Sequence, residues 1–278
     1  MSAALGHWPN APLAYVLAQV RFEPFLEIEK YVPALQSSLR EQYPRFLRTE
    51  EVVFQVLPQP ERQPPRVQPA SLLRWELGSA SNHASVILQQ DSLLLRATEY
   101  KTYATFDQRW RDVMRRVGEQ IPNLFTNRIG LRYIDFILPN PGETPEAYMA
   151  ERLRCDPEPG LPYRKHRGLT AAEYHLEHGS LAVRYSRLTG QPTLPPDLEP
   201  LTSPALEPSA IMQRTVSADQ LTAVLDIDRY MPFSKGYDAD ADELADLFEQ
   251  RLHQDIQTAF RALTTDHARA MWSGAPPP

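Results

Sequence analysis

Two segments of the chain carry charged residues inside otherwise apolar runs. The first is NRIGLRYIDFI, residues 127–137, which contains Arg132 and Asp135, and the second is LDIDRY, residues 225–230, which contains Asp226 and Asp228. Both have the β-branched and aromatic composition that is typical of strands. Crowded carboxylates can hold raised pKa values, and such groups often bind ligands or transfer protons. These four residues therefore form the first candidate binding cluster.

Strand alternation decides which of these residues can meet. Successive side chains point to opposite faces of a strand, so Arg132 and Asp135 cannot pair with each other. If the two segments are neighbouring strands, Arg132 would meet Asp226 or Asp228, and Arg229 would meet Asp135. A cross-strand ion pair of this kind is most often structural, because it fixes the register and satisfies half-buried charge. A ligand-binding role remains the alternative.

A second candidate site is the basic run YRKHRG, with Arg164, Lys165, His166 and Arg167. It lies in a segment rich in proline and glycine. Such a run can bind a phosphate or an acidic protein surface. The more common alternative is a solvated loop.

The remaining motifs predict neither a metal site nor a catalytic residue. DADADELADLFE (238–249) spaces its acids as a calcium loop does, but Glu243 occupies the place of the required glycine, so we interpret it as a helix start with Asp240 as N-cap. His175 and His178 lie beside a predicted turn, and Cys155 is the single cysteine. The nucleophile and nucleotide-binding motifs G-x-S-x-G, H-E-x-x-H, G-x-G-x-x-G and the P-loop do not occur in the sequence. We expect no cofactor.

Hydrophobic periodicity predicts the elements that position these residues. Strands are expected at residues 13–22, 51–57, 71–78, 84–90, 92–100, 125–139 and 221–233, with a hairpin over 169–188 that turns near Gly179. Helices are expected at residues 23–44 (split near Tyr31 by Pro33), 105–121, 144–153 (with Thr144 as N-cap) and 238–272. Proline-rich loops are expected at residues 58–69 and 190–208.

The order of elements predicts an α+β protein. Mostly antiparallel strands would form the sheet, with helices packed on one face. The order strand, helix, strands, helix occurs twice, which predicts an internal pseudo-repeat with an N-terminal half at 1–122 and a C-terminal half at 123–278, packed as one compact unit.

Composition narrows the classes of partner. The chain is 42% hydrophobic and 23% charged with a net charge of -6, so nucleic acid is not the expected partner. No apolar run reaches the roughly 18 residues that a membrane span needs, and the N-terminal segment does not resemble a signal peptide. We expect a cytoplasmic protein.

The segments NAPLAYVLAQVRFEP, NRIGLRYIDFI, LDIDRY and LHQDIQTAFRALTTDHARAMW follow one another over nearly the whole chain. Taken together they resemble a sporadically distributed family of uncharacterised bacterial and archaeal proteins. The resemblance implies a prokaryotic accessory protein and brings no established activity, cofactor or catalytic residue with it.

The functional hypothesis is therefore a binding protein that contacts another protein in a prokaryotic accessory system, of the toxin–antitoxin, immunity or phage-defence type. The contact surfaces would be the open sheet face or the proline-rich loops with YRKHRG. The alternative is an enzyme or small-ligand binder that uses Arg132, Asp135, Asp226 and Asp228 in a cleft between the two halves.

Overall fold

A computed structural model describes residues 8–57, 66–153, 167–201, 206–237 and 240–274. Its central feature is one open antiparallel sheet of nine strands. The strands are β1 (Leu13–Phe22), β2 (Arg45–Leu57), β3 (Arg66–Gly78), β4 (Ala84–Gln89), β5 (Ser92–Ala97), β6 (Thr126–Ile137), β7 (Arg167–Leu176), β8 (Gly179–Thr189) and β9 (Leu221–Tyr237). They lie in the order β2-β3-β4-β5-β1-β6-β9-β8-β7. The predicted α+β class with a mostly antiparallel sheet is confirmed.

The two central strands, β1 and β6, pair with each other over most of their length, from Leu13–Asp135 to Phe22–Thr126. Strands β5 to β2 then extend the sheet on one side, and β9 to β7 extend it on the other. Side chains on both faces of β1 are buried, which explains its nearly continuous apolar sequence. The first strand of each half therefore lies at the centre and the later strands lie outside it, but a structural repeat of the two halves remains a prediction.

The helices cover one face of the sheet. They are α1 (Val32–Leu39), α2 (Tyr103–Gln120), α3 (Ala241–Leu247), a π-helical turn at Phe248–His253, α4 (Gln254–Leu263) and α5 (Asp266–Ser273). The Thr102 side chain caps α2 by accepting a hydrogen bond from the backbone N–H of Thr105. Buried residues of α2 recur at helical spacing, at Phe106, Trp110, Val113 and Val117, and join the main core. No helix in the described part of the chain is long and apolar enough to cross a membrane.

The opposite face of the sheet carries a smaller core. Ile134 and Phe136 of β6 contribute to it, together with Leu198 and Ile211 from the connection between β8 and β9. The predicted proline-rich loop at 190–208 therefore packs on the sheet in part, and its residues Pro196–Leu201 form a 3-10 helix. Residues 202–205 lie outside the described residues.

Several predicted elements differ from the structure. Strand β2 begins at Arg45, six residues before its predicted start. The helix predicted at residues 23–44 is split at Tyr31 as expected, but it consists only of a 3-10 helix at Ile28–Tyr31 and α1. Residues 144–153 form two 3-10 turns, Pro145–Ala147 and Glu151–Leu153, and Thr144 makes no side-chain cap. The predicted loop at 58–69 is too long, because Arg66 and the three residues after it belong to β3 and pair with β2. The helix predicted at 238–272 contains the π-helical turn and is interrupted before Asp266, although Asp240 does cap its start by accepting from the N–H of Glu243 at 2.8 Å.

Candidate functional site

Strand β6 places Arg132 and Asp135 on opposite faces of the sheet, as the alternation predicts. Its neighbour β9 pairs Arg132 with Asp228 and Ile134 with Asp226 in the backbone register. The prediction that the two charged segments form neighbouring strands is therefore confirmed. The four candidate residues nevertheless do not form one cluster.

Arg132 is held by two carboxylates. Its Nε and Nη2 atoms donate to the two oxygens of Asp226 at 2.8 Å each, and Nη1 and Nη2 donate to Asp197 at 2.5 and 3.2 Å. Arg184 adds a 3.1 Å contact to Asp226. Burial lowers the pKa of Arg132, but the hydrogen bonds with Asp226 and Asp197 outweigh it and hold the pKa above its ordinary value. This saturated ion cluster has the features of a structural device.

Asp228 lies on the same face as this cluster. Burial is the largest cause that raises the pKa of its carboxyl group, and the charge of Asp226 raises it further, while the charges of Arg132, Arg128 and Arg184 act in the opposite direction. Arg229 faces the helices and donates to Asp255 at 2.8 Å rather than to Asp135. The register explains this difference, because Arg229 is opposite Leu131, four residues from Asp135 and thus about 13 Å away along the strand.

Asp135 lies under the helices and lines a cavity of about 120 Å³. Asp135 is only 4% exposed, and no hydrogen bond or ion pair to its carboxyl group is found among the residues that the structure describes. Burial, followed by repulsion from Asp226 on the other face, raises the pKa of Asp135 to about 8. The group is therefore largely protonated at neutral pH when the cavity is empty, and it can exchange a proton near pH 8.

The cavity wall has contributions from both predicted halves of the chain. Trp8, Leu13, Tyr100 and Tyr103 come from the first, and Tyr133, Ile227, His253, Gln257 and Phe260 come from the second. Lys101 also lines the cavity and is exposed, so the cavity reaches the surface there.

A chain of hydrogen bonds crosses the wall beside Asp135. The Tyr100 and Tyr133 hydroxyls are 3.2 Å apart, the Tyr133 hydroxyl is 3.3 Å from His253 Nδ1, and the Gln257 amide nitrogen is 2.7 Å from His253 Nε2. Because an amide N–H₂ can only donate, Nε2 accepts and Nδ1 carries the proton in this arrangement. Burial lowers the pKa of His253 to about 4, so the imidazole is neutral at physiological pH.

The π-helical turn ends at His253, and the His253 ring stacks on Tyr103 with 3.6 Å between ring centroids. Turns of this kind occur frequently at functional sites, because the extra residue changes which side chains the helix directs inwards. Leu252 is fully buried in the core, while the next residue, His253, lines the cavity.

A larger open groove of about 770 Å³ lies at α2 and contains several charged groups. Asp112 binds Arg115 and Arg116 there at 2.5 and 2.9 Å, and Arg111 binds Asp107 at 2.7 Å. Because these groups neutralise one another, the groove offers less to a ligand than the Asp135 cavity does.

The other candidate residues lie elsewhere. Arg164, Lys165 and His166 lie outside the described residues, as does Cys155. Arg167 is exposed at the start of β7, the edge strand. His175 is exposed near the end of the same strand, and His178 is exposed in the turn that follows it. Within the described ranges no group of three or more His, Cys, Asp or Glu residues could hold a metal ion.

The sequence did not point to a second buried charged cluster on the Arg132 face. Arg74 donates to Glu76 at 2.6 Å, Arg96 donates to the other Glu76 oxygen, and Arg96 Nε donates to the Ser85 hydroxyl at 2.7 Å. Strand alternation along β3 would have placed Arg74 and Glu76 on one face, which is the signal that could have found them.

His253 was also missed as a site residue, although the sequence carries a signal for it. His253, Ile256 and Phe260 share one helical face at spacings of three and seven residues, and the other two positions are apolar. A histidine in such a stripe is a candidate for a buried site.

Comparison with family models and with curated proteins finds no match to this chain. The resemblance described from the sequence therefore stays a prediction, and the functional argument depends on the geometry alone.

Proposed function

We propose that this protein binds a small ligand in the cavity beside Asp135. The observation that carries the proposal is a buried carboxyl group that faces a cavity and lacks a hydrogen-bonding partner among the described residues. Buried polar groups are almost always hydrogen-bonded, and leaving one without a partner is unfavourable. A ligand that hydrogen-bonds to Asp135 would satisfy it.

The size of the cavity limits the ligand. A cavity of about 120 Å³ is slightly smaller than the roughly 150 Å³ engineered cavity that holds benzene. The ligand, or the part of it that enters, is thus about as large as one small ring. The sequence-based alternative is a ligand site that uses Arg132, Asp135, Asp226 and Asp228. The present proposal keeps Asp135 as the contact with the ligand, because the other three residues lie on the far side of the sheet.

The test compares two alanine-to-leucine variants. Ala11 lines the cavity, so Ala11→Leu would fill part of it, whereas Ala262 is exposed on α4 and Ala262→Leu adds the same atoms outside. We expect ligand-observed NMR with a panel of small ring compounds to detect binding to the wild type and to Ala262→Leu. Ala11→Leu should lose it. Equal binding by all three proteins, or none by the wild type at millimolar concentration, would refute the proposal.

A second candidate function is contact with a partner protein in a cytoplasmic prokaryotic accessory system, of the toxin–antitoxin, immunity or phage-defence type. The observation that favours it is β7, which ends the strand order and exposes Leu169, Tyr174 and Leu176. An edge strand with exposed apolar side chains can accept a strand from another protein.

Two lysine substitutions test this second candidate. Leu169→Lys places a charge on the edge strand, and Leu26→Lys places one at a residue that is 78% exposed elsewhere on the surface. A partner recovered from a native host by the wild type and by Leu26→Lys, but not by Leu169→Lys, would support contact through β7. Recovery by all three would place the contact on another surface.

A further inference from the structure

The wall of the Asp135 cavity is rich in aromatic rings. The rings belong to Trp8, Tyr100, Tyr103, Tyr133 and Phe260, and the uncharged His253 imidazole adds a sixth. The faces of aromatic rings carry partial negative charge and attract cations, and the attraction strengthens where water is excluded. The one acidic group in this wall is Asp135.

The cationic side chains of the surrounding elements do not neutralise Asp135. Lys101, from the segment before α2, is exposed and 3.7 Å from Glu99. Arg229, which faces the helices from β9, is held by Asp255. The titratable groups around Asp135 are otherwise uncharged at neutral pH or negative: they are Tyr100, Tyr103, Tyr133, His253 and, across the sheet, Asp226.

We infer that the cavity binds a small organic cation, such as a protonated amine, whose charged group forms an ion pair with the Asp135 carboxylate among the aromatic rings. This inference rests on the proposed ligand-binding function and specifies the class of ligand. An ammonium group supplies both the positive charge and the hydrogen-bond donors that an ionised Asp135 requires.

Binding of such a cation is linked to the loss of a proton. The empty site holds Asp135 mostly protonated at neutral pH, and the cation requires the carboxylate, so the carboxyl proton passes to the solvent as the ligand binds. With a pKa of about 8 for Asp135, the apparent affinity should increase about 50-fold between pH 6 and pH 8 and then level off. His253 stays neutral over this range and adds no opposing change.

The experiment uses isothermal titration calorimetry on the full chain with two probes of the same ring. Cyclopentylammonium is the cationic probe and cyclopentanol is its neutral counterpart. We expect cyclopentylammonium to bind more tightly than cyclopentanol, with a pH dependence of about 50-fold and with proton release that is measured in two buffers of different ionisation enthalpy. Asp135→Asn should bind it at least about tenfold more weakly at pH 8 and without pH dependence, because the amide carries no charge.

Each contrary outcome has a separate meaning. If cyclopentanol binds the wild type as tightly as cyclopentylammonium does, at both pH 6 and pH 8, the cation inference is wrong, and the proposal of a ligand-binding cavity is supported. If neither probe binds, the cation inference is again wrong, and the Ala11→Leu comparison decides the proposed function separately. If Asp135→Asn does not fold, proton release and the pH dependence of the wild type still decide between a cation and a neutral ligand.

Discussion

Asp135 and Arg132 are three residues apart on β6, yet their electrostatic surroundings are opposite. Arg132 donates to two carboxylates, whereas Asp135 faces a cavity and receives only the repulsion of Asp226 through the sheet. The charge of Arg132 on one face of the strand is thus compensated, whereas the carboxyl group on the other face has no counter-charge. This asymmetry is the reason to separate a structural role for Arg132 from a binding role for Asp135.

The raised pKa of Asp135 predicts that stability falls as the pH rises from 6.5 to 8. The folded state keeps the proton up to pH 8, while the unfolded state has lost it above pH 4, so the stabilisation is complete at low pH and is lost through the folded pKa of about 8. The depressed pKa of His253 acts only between about 4 and 6.5, in the opposite direction. We expect the free energy of unfolding, measured with urea, to fall by about 2 kcal/mol between pH 6.5 and 8.

Asp135→Asn is the control for this pH dependence. The amide does not titrate, so most of the loss should disappear in the variant. The part that remains is assigned to Asp228, whose pKa is also raised by burial. An unchanged loss in Asp135→Asn would show that another group is responsible.

Arg132→Met tests the structural role of the ion cluster. Removal of the guanidinium leaves the buried Asp226 with Arg184 as its remaining ion partner among the described residues. Breaking a buried ion pair destabilises a protein by about 3–5 kcal/mol. Arg128→Met is the matched control, because Arg128 lies on the same face of β6 and stacks over the Tyr230 ring at 4.3 Å. Arg128→Met should lower the free energy of unfolding by only about 0.5–1 kcal/mol. Both variants are compared by urea unfolding. If Arg132→Met is as stable as Arg128→Met, the structural role of Arg132 is contradicted.

At the scale of elements, the sequence predicted all nine strands and the position of α2. Strands such as β1 and β6 combine β-branched composition with clear boundaries, so local pattern and tertiary packing agree. The segment at 144–153 satisfied the composition of a helix, but the backbone N–H groups of Ala150 and Thr265 bond to the carbonyls of Leu263 and Tyr148. Such long-range bonds compete with helix formation and cannot be read from local sequence. The π-helical turn before Gln254 has no sequence signal that we can name.

Gly179 is the glycine on which the β7–β8 hairpin depends. Its φ of +93° favours glycine, and a Cβ at this position would be 2.1 Å from the Tyr230 carbonyl oxygen. We expect Gly179→Ala to lose at least about 2 kcal/mol of stability. Gly118→Ala on α2, where nothing lies within 4 Å, should gain about 0.5–1 kcal/mol. Thermal unfolding of both variants makes the comparison, and a stable Gly179→Ala would contradict the assigned turn geometry.

The candidate site of the assembled protein could be predicted from the sequence only in part. Alternation along β6 identified Asp135 as a carboxyl group on a mostly apolar face. The partners that make a cavity around it come from segments as distant as Trp8, Tyr103 and His253. Their meeting depends on β1 pairing with β6 and on the helical segment after β9 packing against β6 and β9. Both are properties of the assembled fold.

The same geometry predicts that residues 1–122 and 123–278 unfold together. Strand β1 of the first half pairs with β6 of the second, and Trp110 of α2 packs edge-on against Phe248 at 5.5 Å between ring centroids. Separating the halves would expose both the central strand edges and this aromatic contact, so neither half keeps a complete core. We expect one calorimetric transition whose van't Hoff enthalpy equals the measured enthalpy. Phe248→Ala should lower the free energy of unfolding by about 3–5 kcal/mol and should therefore move the whole transition to a lower temperature. Two resolved transitions would show instead that the halves are independent folding units.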